Sequence, residues 1–169
     1  MMKWLGAILV LSGCCAVGLL VISSQKREER ALEQLIRLLE YMLCELPYRM
    51  TPLPELCRNA SSAYKGCVGN VLIALAEEME AQLTPEASLC MHSALTKVNG
   101  IPERTAKCLS LVGSSLGRFD LAGQVRGLEG ALKQTVFELE TLQRNKAVRY
   151  RSYQTLSLCA GAALVLLFL

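Results

Sequence analysis

Both ends of the chain run for long stretches without charge, and this limits the fold more than any other feature. No charged residue occurs from Trp4 to Gln25. As a helix, WLGAILVLSGCCAVGLLVISS is long enough to cross a hydrocarbon core of about 30 Å. Gly6, Gly13 and Gly18 are tolerable there, because lipid offers the backbone no better partner than itself. The other end, SYQTLSLCAGAALVLLFL, is uncharged from Ser152 to Leu169. Its most apolar part, Leu156 to Leu169, rises only about 21 Å as a helix. The pattern therefore predicts a short, nearly upright span with Tyr153 at the interface. A buried core helix is the competing reading of this end.

Basic residues flank both stretches on the inner side. Lys26, Arg27 and Arg30 follow the first, and Arg144, Lys146, Arg149 and Arg151 precede the second. The positive-inside rule then predicts an N-terminal transmembrane helix over 1–25, a cytoplasmic helical domain over 26–152 and a C-terminal transmembrane helix over 153–169, with both tips outside. A second reading treats Leu11-Ser12-Gly13-Cys14 as a lipoprotein cleavage box, giving an exported lipid-anchored helical binding domain cut before Cys14. The apolar run that continues after Cys14 is unlike the polar start of a mature lipoprotein.

The middle reads as helices alone. Leu32, Leu35, Leu39, Met42 and Leu46 recur at spacings of three and four, a heptad seam continuous with the first span. Glu33, Arg37 and Glu40 fall on the outer face. Pro47 is expected to end this helix, with a short turn over PYRM. Thr51 then reads as an N-cap, with Pro52 at the first helical position and Glu55 in the first turn. Gly66 and Gly69 precede a third helix with Val68, Val71, Leu72, Leu75, Met79 and Leu83 on one face. Thr84-Pro85-Glu86 opens a fourth, with Ala87, Met91, Ala94, Leu95 and Val98 inward, and Asn99-Gly100 stops it. Pro102-Glu103 starts a fifth, carrying Cys108, Leu109, Val112 and Leu116.

Asp120, the only aspartate in the chain, can cap a sixth and longest helix. Its seam is Leu121, Val125, Leu128, Leu132, Thr135, Leu139 and Leu142, and it can run on into the second apolar stretch. Gly123, Gly127 and Gly130 on another face suggest a close neighbouring helix there, with a flexible helix start as the alternative. No alternating β-branched or aromatic run argues for a strand. The predicted class is all-α: an antiparallel six-helix bundle between two transmembrane helices.

Chemistry is sparse. Net charge is only +3, too small to argue for nucleic acid. The chain has eight cysteines and one histidine, His92, with no C-x-x-C pair to suggest zinc. The cysteines read as buried thiols acting as small hydrophobes, which fits a reducing compartment. Glu77, Glu78 and Glu80 read as a solvated face, with a docking surface for a basic partner as the alternative. No phosphate loop or nucleophile elbow occurs. Catalytic residues, cofactor, metal and small-molecule substrate are therefore all expected to be absent. A membrane enzyme using a cysteine with His92 is the remaining catalytic reading.

Two motifs carry a resemblance. Y-x-x-T-P-L-P-E, here Tyr48 to Glu55, and L-G-x-x-D-x-x-G-Q, here Leu116 to Gln124, stand in the order and setting of the stage III sporulation protein AB family, which the chain resembles along nearly its whole length. It departs from the usual pattern at Leu89-Cys90, where a tryptophan is common, and at Phe119, where a serine is. The resemblance implies a fold similar to the F-type platform proteins of type II secretion (secretion F-domain-like). It implies a non-enzymatic scaffold in the mother cell–forespore channel of endospore formation. It places the protein in the outer forespore membrane on the mother-cell side. The implied partners are a cytoplasmic secretion-type ATPase similar to the stage III sporulation protein AA, other membrane components of the channel, and the lipid bilayer. The motif residues Thr51, Pro52, Leu53, Glu55, Gly117, Asp120 and Gln124, or the charged face of Glu33, Arg37 and Glu40, are the candidate docking contacts. Capping and turning helices is the alternative role of the motif residues.

Overall fold

A computed structural model describes the backbone of residues 2–49, 51–81, 86–116 and 120–168, and side chains over 23–48, 51–81, 86–116 and 120–145. Among the described residues six helices follow one another: α1 (Met2–Arg49), α2 (Leu53–Ala63), α3 (Cys67–Glu80), α4 (Ala87–Lys97), α5 (Glu103–Ser115) and α6 (Leu121–Phe168). No strand occurs among the described residues. The chain forms two compact units, one of Met1–Arg27 with Glu140–Leu169 and one of Glu28–Leu139. The chain passes from one unit to the other inside α1 and again inside α6, never in a loop. Among the described residues no helix is long and apolar enough to cross a membrane. The two apolar stretches fall almost wholly where side chains are outside the description.

The heptad seam of α1 is the centre of the larger unit. Leu32, Leu35, Leu39 and Met42 are fully buried, as is Leu38, and Leu46 is nearly so. Each such leucine contributes on the order of 2 kcal/mol through apolar burial. Helix α1 runs to Arg49, with Pro47 inside its last turn, so the expected stop at Pro47 is corrected. The ring removes one donor and biases Leu46 away from helix. Leu46 is held in the core, and that anchoring outweighs the local preference.

The start of α2 is also corrected, by one residue. Pro52 takes the N-cap position, where no side-chain cap forms. Its carbonyl accepts from Leu56 N at 2.9 Å. Thr51 lies outside the helix, and Pro54 falls in the first turn, where a missing N–H leaves no broken bond.

Gly66 precedes α3 at φ 108°, a conformation that side chains resist. Val68, Val71, Leu72 and Leu75 are buried, Met79 is half-buried, and Leu83 lies outside the described residues. The same holds for Thr84 and Pro85, while Glu86 takes the N-cap position of α4. In α4, Ala87, Cys90, Met91 and Ala94 are buried, whereas Leu95 and Val98 are half-buried. Asn99-Gly100 is a turn, with Gly100 at φ 79°. All four expected residues of α5 are buried.

Helix α6 departs furthest from its expected face. Leu128, Thr135 and Leu142 are buried and so is Ala131, but Leu121 is exposed. Val125, Leu132 and Leu139 are only half-buried. The face of α6 covered by neighbours is narrower than a full heptad stripe. The expected close approach holds at Gly127, where a Cβ would sit 2.6 Å from Ser115 Cβ. It fails at Gly130, which faces open space. Helix α5 runs antiparallel to α6: Ser115 meets Gly127 at one end, and Arg104 meets Glu138 at the other.

Candidate functional site

The first motif forms the corner between α1 and α2. Tyr48 is 87% exposed, although it is an aromatic that a core would accept. Pro52 and Glu55 are exposed beside it, and Thr51 and Leu53 are half-buried. Glu55 lies in the first turn of α2, where a carboxylate complements the helix dipole. Prolines 47, 52 and 54 stiffen this corner.

The second motif bounds the end of α5 and the start of α6. Leu116 is buried and its N–H donates to Val112 O at 3.1 Å. Asp120 caps α6: its Oδ1 accepts from Gly123 N at 3.0 Å, and its carbonyl accepts from Gln124 N at 2.9 Å. This is the N-cap arrangement expected of an aspartate, worth about 1 kcal/mol. Gly117 lies outside the described residues.

The charged face is a separate place. Glu33 and Arg37 pair at 3.7 Å with 41% and 65% exposure, so the pair itself stabilises by at most about 0.5 kcal/mol. Glu40 is exposed one turn on. Tyr64 OH donates to Arg37 O at 3.0 Å, pinning the end of α2 to α1. Glu33 lies roughly 24 Å of helix rise from the end of α1 at Arg49. The structure thus separates the nine described candidates into a lateral charged face on α1, the α1–α2 corner and the start of α6.

Ion pairs across helices were not legible as local spacing. Arg58 reaches Glu80 at 2.6 Å, joining α2 to α3. Lys97 donates to Glu78, joining α4 to α3. Arg104 pairs with Glu138 at 2.7 Å and with Glu28 at 3.6 Å, joining α5 to α6 and α1. The reading of 77–80 as a solvated face holds at Glu77 and Glu80, which are exposed, and is corrected at Glu78, which is buried.

The hydrogen bond from Lys97, aided by its charge and by Ser93, holds the Glu78 carboxyl below the usual value of 4.5 against the opposing effect of burial. A carboxyl depressed in the folded state adds stability above its ordinary pKa, and that stability is lost as pH falls through the folded value. The gap in thermal midpoint between the parent and Glu78→Gln is therefore expected to be constant from pH 7 to pH 5 and to close as pH falls below 4.5. A gap unchanged at pH 3 would show that packing, not charge, is what Glu78 supplies.

The catalytic reading concerns His92 and the cysteines. His92 is exposed on α4. Cys57, Cys90 and Cys108 are buried, Cys67 is half-buried and Cys44 is exposed. Burial pushes the Cys57 thiol up to about 12, so it is not a thiolate nucleophile at neutral pH. Among the described residues no cluster of three or more His, Cys, Asp or Glu could hold a metal.

The family model described as "Stage III sporulation protein AB" matches residues 3–169. A solved structure titled stage III sporulation protein AB is similar to the chain at 18% identity and a TM-score of 0.64. The similarity covers 72% of this chain and 98% of the other, and at that identity it speaks for the fold. No match was found among curated proteins.

Proposed function

Because the chain belongs to the stage III sporulation protein AB family, we propose that it is a non-enzymatic membrane platform of the sporulation channel, whose helical bundle docks a cytoplasmic secretion-type ATPase. The bundle is similar to secretion F-domains, lies in the cytoplasm of the mother cell, and is held at the outer forespore membrane by both apolar ends. The observation that carries this reading is the continuity of α1 and α6. Each is one helix of 48 residues leading from an apolar end into the larger unit. A load applied to the bundle then meets helix, with no loop to absorb it, on its way to either end.

The docking surface is the α1–α2 corner. Exposed aromatics held by rigid neighbours are the common anchors of protein interfaces, and Tyr48, Pro52 and Glu55 have that form. The full chain is expected to co-purify with the ATPase in detergent. Glu55→Arg is expected to weaken association at least tenfold with an unchanged helical spectrum. Reversing the charges of Glu33, Arg37 and Glu40 is expected to leave it intact. Failure of the parent chain to associate at any attainable concentration, with or without nucleotide, would remove the platform reading.

Topology has its own reporter. Cys44 is exposed, whereas Cys57 is buried and unsuitable. A maleimide that cannot cross membranes should miss Cys44 in intact cells and label it after permeabilisation. Labelling without permeabilisation would favour the exported, lipid-anchored form.

A further inference from the structure

The end of the α5–α6 contact near Arg104 differs from the rest of the core. Toward Ser115, α5 buries Leu109, Val112 and Leu116. Toward Arg104, α5 itself buries only Thr105 and Cys108. Thr105 and Thr135 are both fully buried. Thr135 Oγ1 donates back to Ala131 O at 2.7 Å within its own helix. Thr105 Oγ1 is buried with no hydrogen-bond partner. An unsatisfied buried hydroxyl disfavours the closed arrangement, because it regains a partner only when water enters.

Charged and polar side chains pair along the edge of this end. Arg104 donates to Glu138 Oε2 at 2.7 Å and faces Glu28 at 3.6 Å, with its side chain 35% exposed. Gln134 Nε2 donates to the other Glu138 oxygen at 3.4 Å. Glu103 and Lys107, the remaining charges at this end of α5, are exposed and paired with each other at 2.7 Å.

We infer that this end of α5 is a latch: Arg104 clasps it to α1 and α6, and it opens locally, admitting water to Thr105, while the leucine-rich core stays folded. The inference is independent of the docking partner and of the membrane assignment. Local openings of this kind cost less free energy than global unfolding.

Cys108, 1% exposed one turn after Thr105, reports opening directly. Cys57 and Cys90, equally buried in α2 and α4, report global unfolding. The experiment is time-resolved thiol labelling of the full chain in detergent, read by peptide mass spectrometry. Cys108 is expected to label faster than Cys57 and Cys90. Arg104→Met should speed Cys108 by about tenfold, the factor equivalent to about 1.4 kcal/mol, with the other two unchanged. Raising salt should act in the same direction, since the clasp is partly exposed. Thr105→Val, which removes the orphan hydroxyl at similar volume, should slow Cys108 alone. If Cys108 labels in step with Cys57 and Cys90 in the parent and in both variants, opening is global and the latch does not exist. If Arg104→Met leaves the Cys108 rate unchanged while Thr105→Val slows it, the clasp is overturned.

Discussion

Gly69→Ala is expected to destabilise the larger unit by roughly 3 kcal/mol, although alanine is the better helix former by about 1 kcal/mol. The reversal comes from geometry. A Cβ at residue 69 would lie 1.8 Å from Tyr64 O and 3.0 Å from Tyr64 C. Both are backbone atoms, so no rotamer change can clear them. The segment between α2 and α3 would have to move, and it is tied to α1 by the bond from Tyr64 OH to Arg37 O. The same substitution at Gly130 meets nothing within 4 Å and should stabilise by about 0.5–1 kcal/mol. Chemical denaturation of the two full-length variants, followed by circular dichroism, checks both signs. Equal effects at the two positions would mean that α2 and α3 do not approach as described.

Leu35→Ala is the second large effect. Leu35 is fully buried at the centre of the α1 seam, between the equally buried Leu32 and Leu38. Truncation loses the transfer energy of the side chain and leaves a cavity lined by residues that have no slack, a cost of about 3 kcal/mol. For a unit of this size the thermal midpoint should fall on the order of 10 °C. A change below about 1 kcal/mol would mean that the surroundings collapse into the gap, which close packing around Leu32, Leu39 and Met42 argues against.

The sequence made the helices and much of the core readable because both depend on local periodicity. The α1 seam is the clearest case: all five of its named residues are buried. The α6 seam was read by the same rule and fits less well, because periodicity marks an apolar stripe and cannot say how much of it a neighbour covers. Leu121 is exposed for that reason. Proline and threonine signals around 47–52 located a corner correctly and misplaced its boundaries, since core anchoring of Leu46 extends α1 past the point where local chemistry would stop it. Asp120 was legible as a cap because an N-cap needs only three residues of chain.

The candidate site was readable to the extent that it is local. Both motifs could be seen as helix boundaries. The pairs Arg104–Glu138 and Lys97–Glu78 could not, because their partners are 34 and 19 residues apart. Nor could the exposure of Tyr48, which depends on what fails to cover it. The orphaned hydroxyl of Thr105 likewise has no sequence signature: a threonine inside a helix most often bonds back to its own turn, as Thr135 does.

The absence of a loop between the two units has a practical consequence for any shortened form of this protein. A fragment trimmed to 28–139 must be cut within α1 and within α6. Its first residue would be Glu28, and Glu138 would be its penultimate one. Both would then ride on fraying terminal turns that lack half their backbone partners. The leucine seam would survive such trimming, but Arg104 would grip two loose ends. Measurements on the excised fragment would then underestimate how firmly the start of α5 is held in the intact chain.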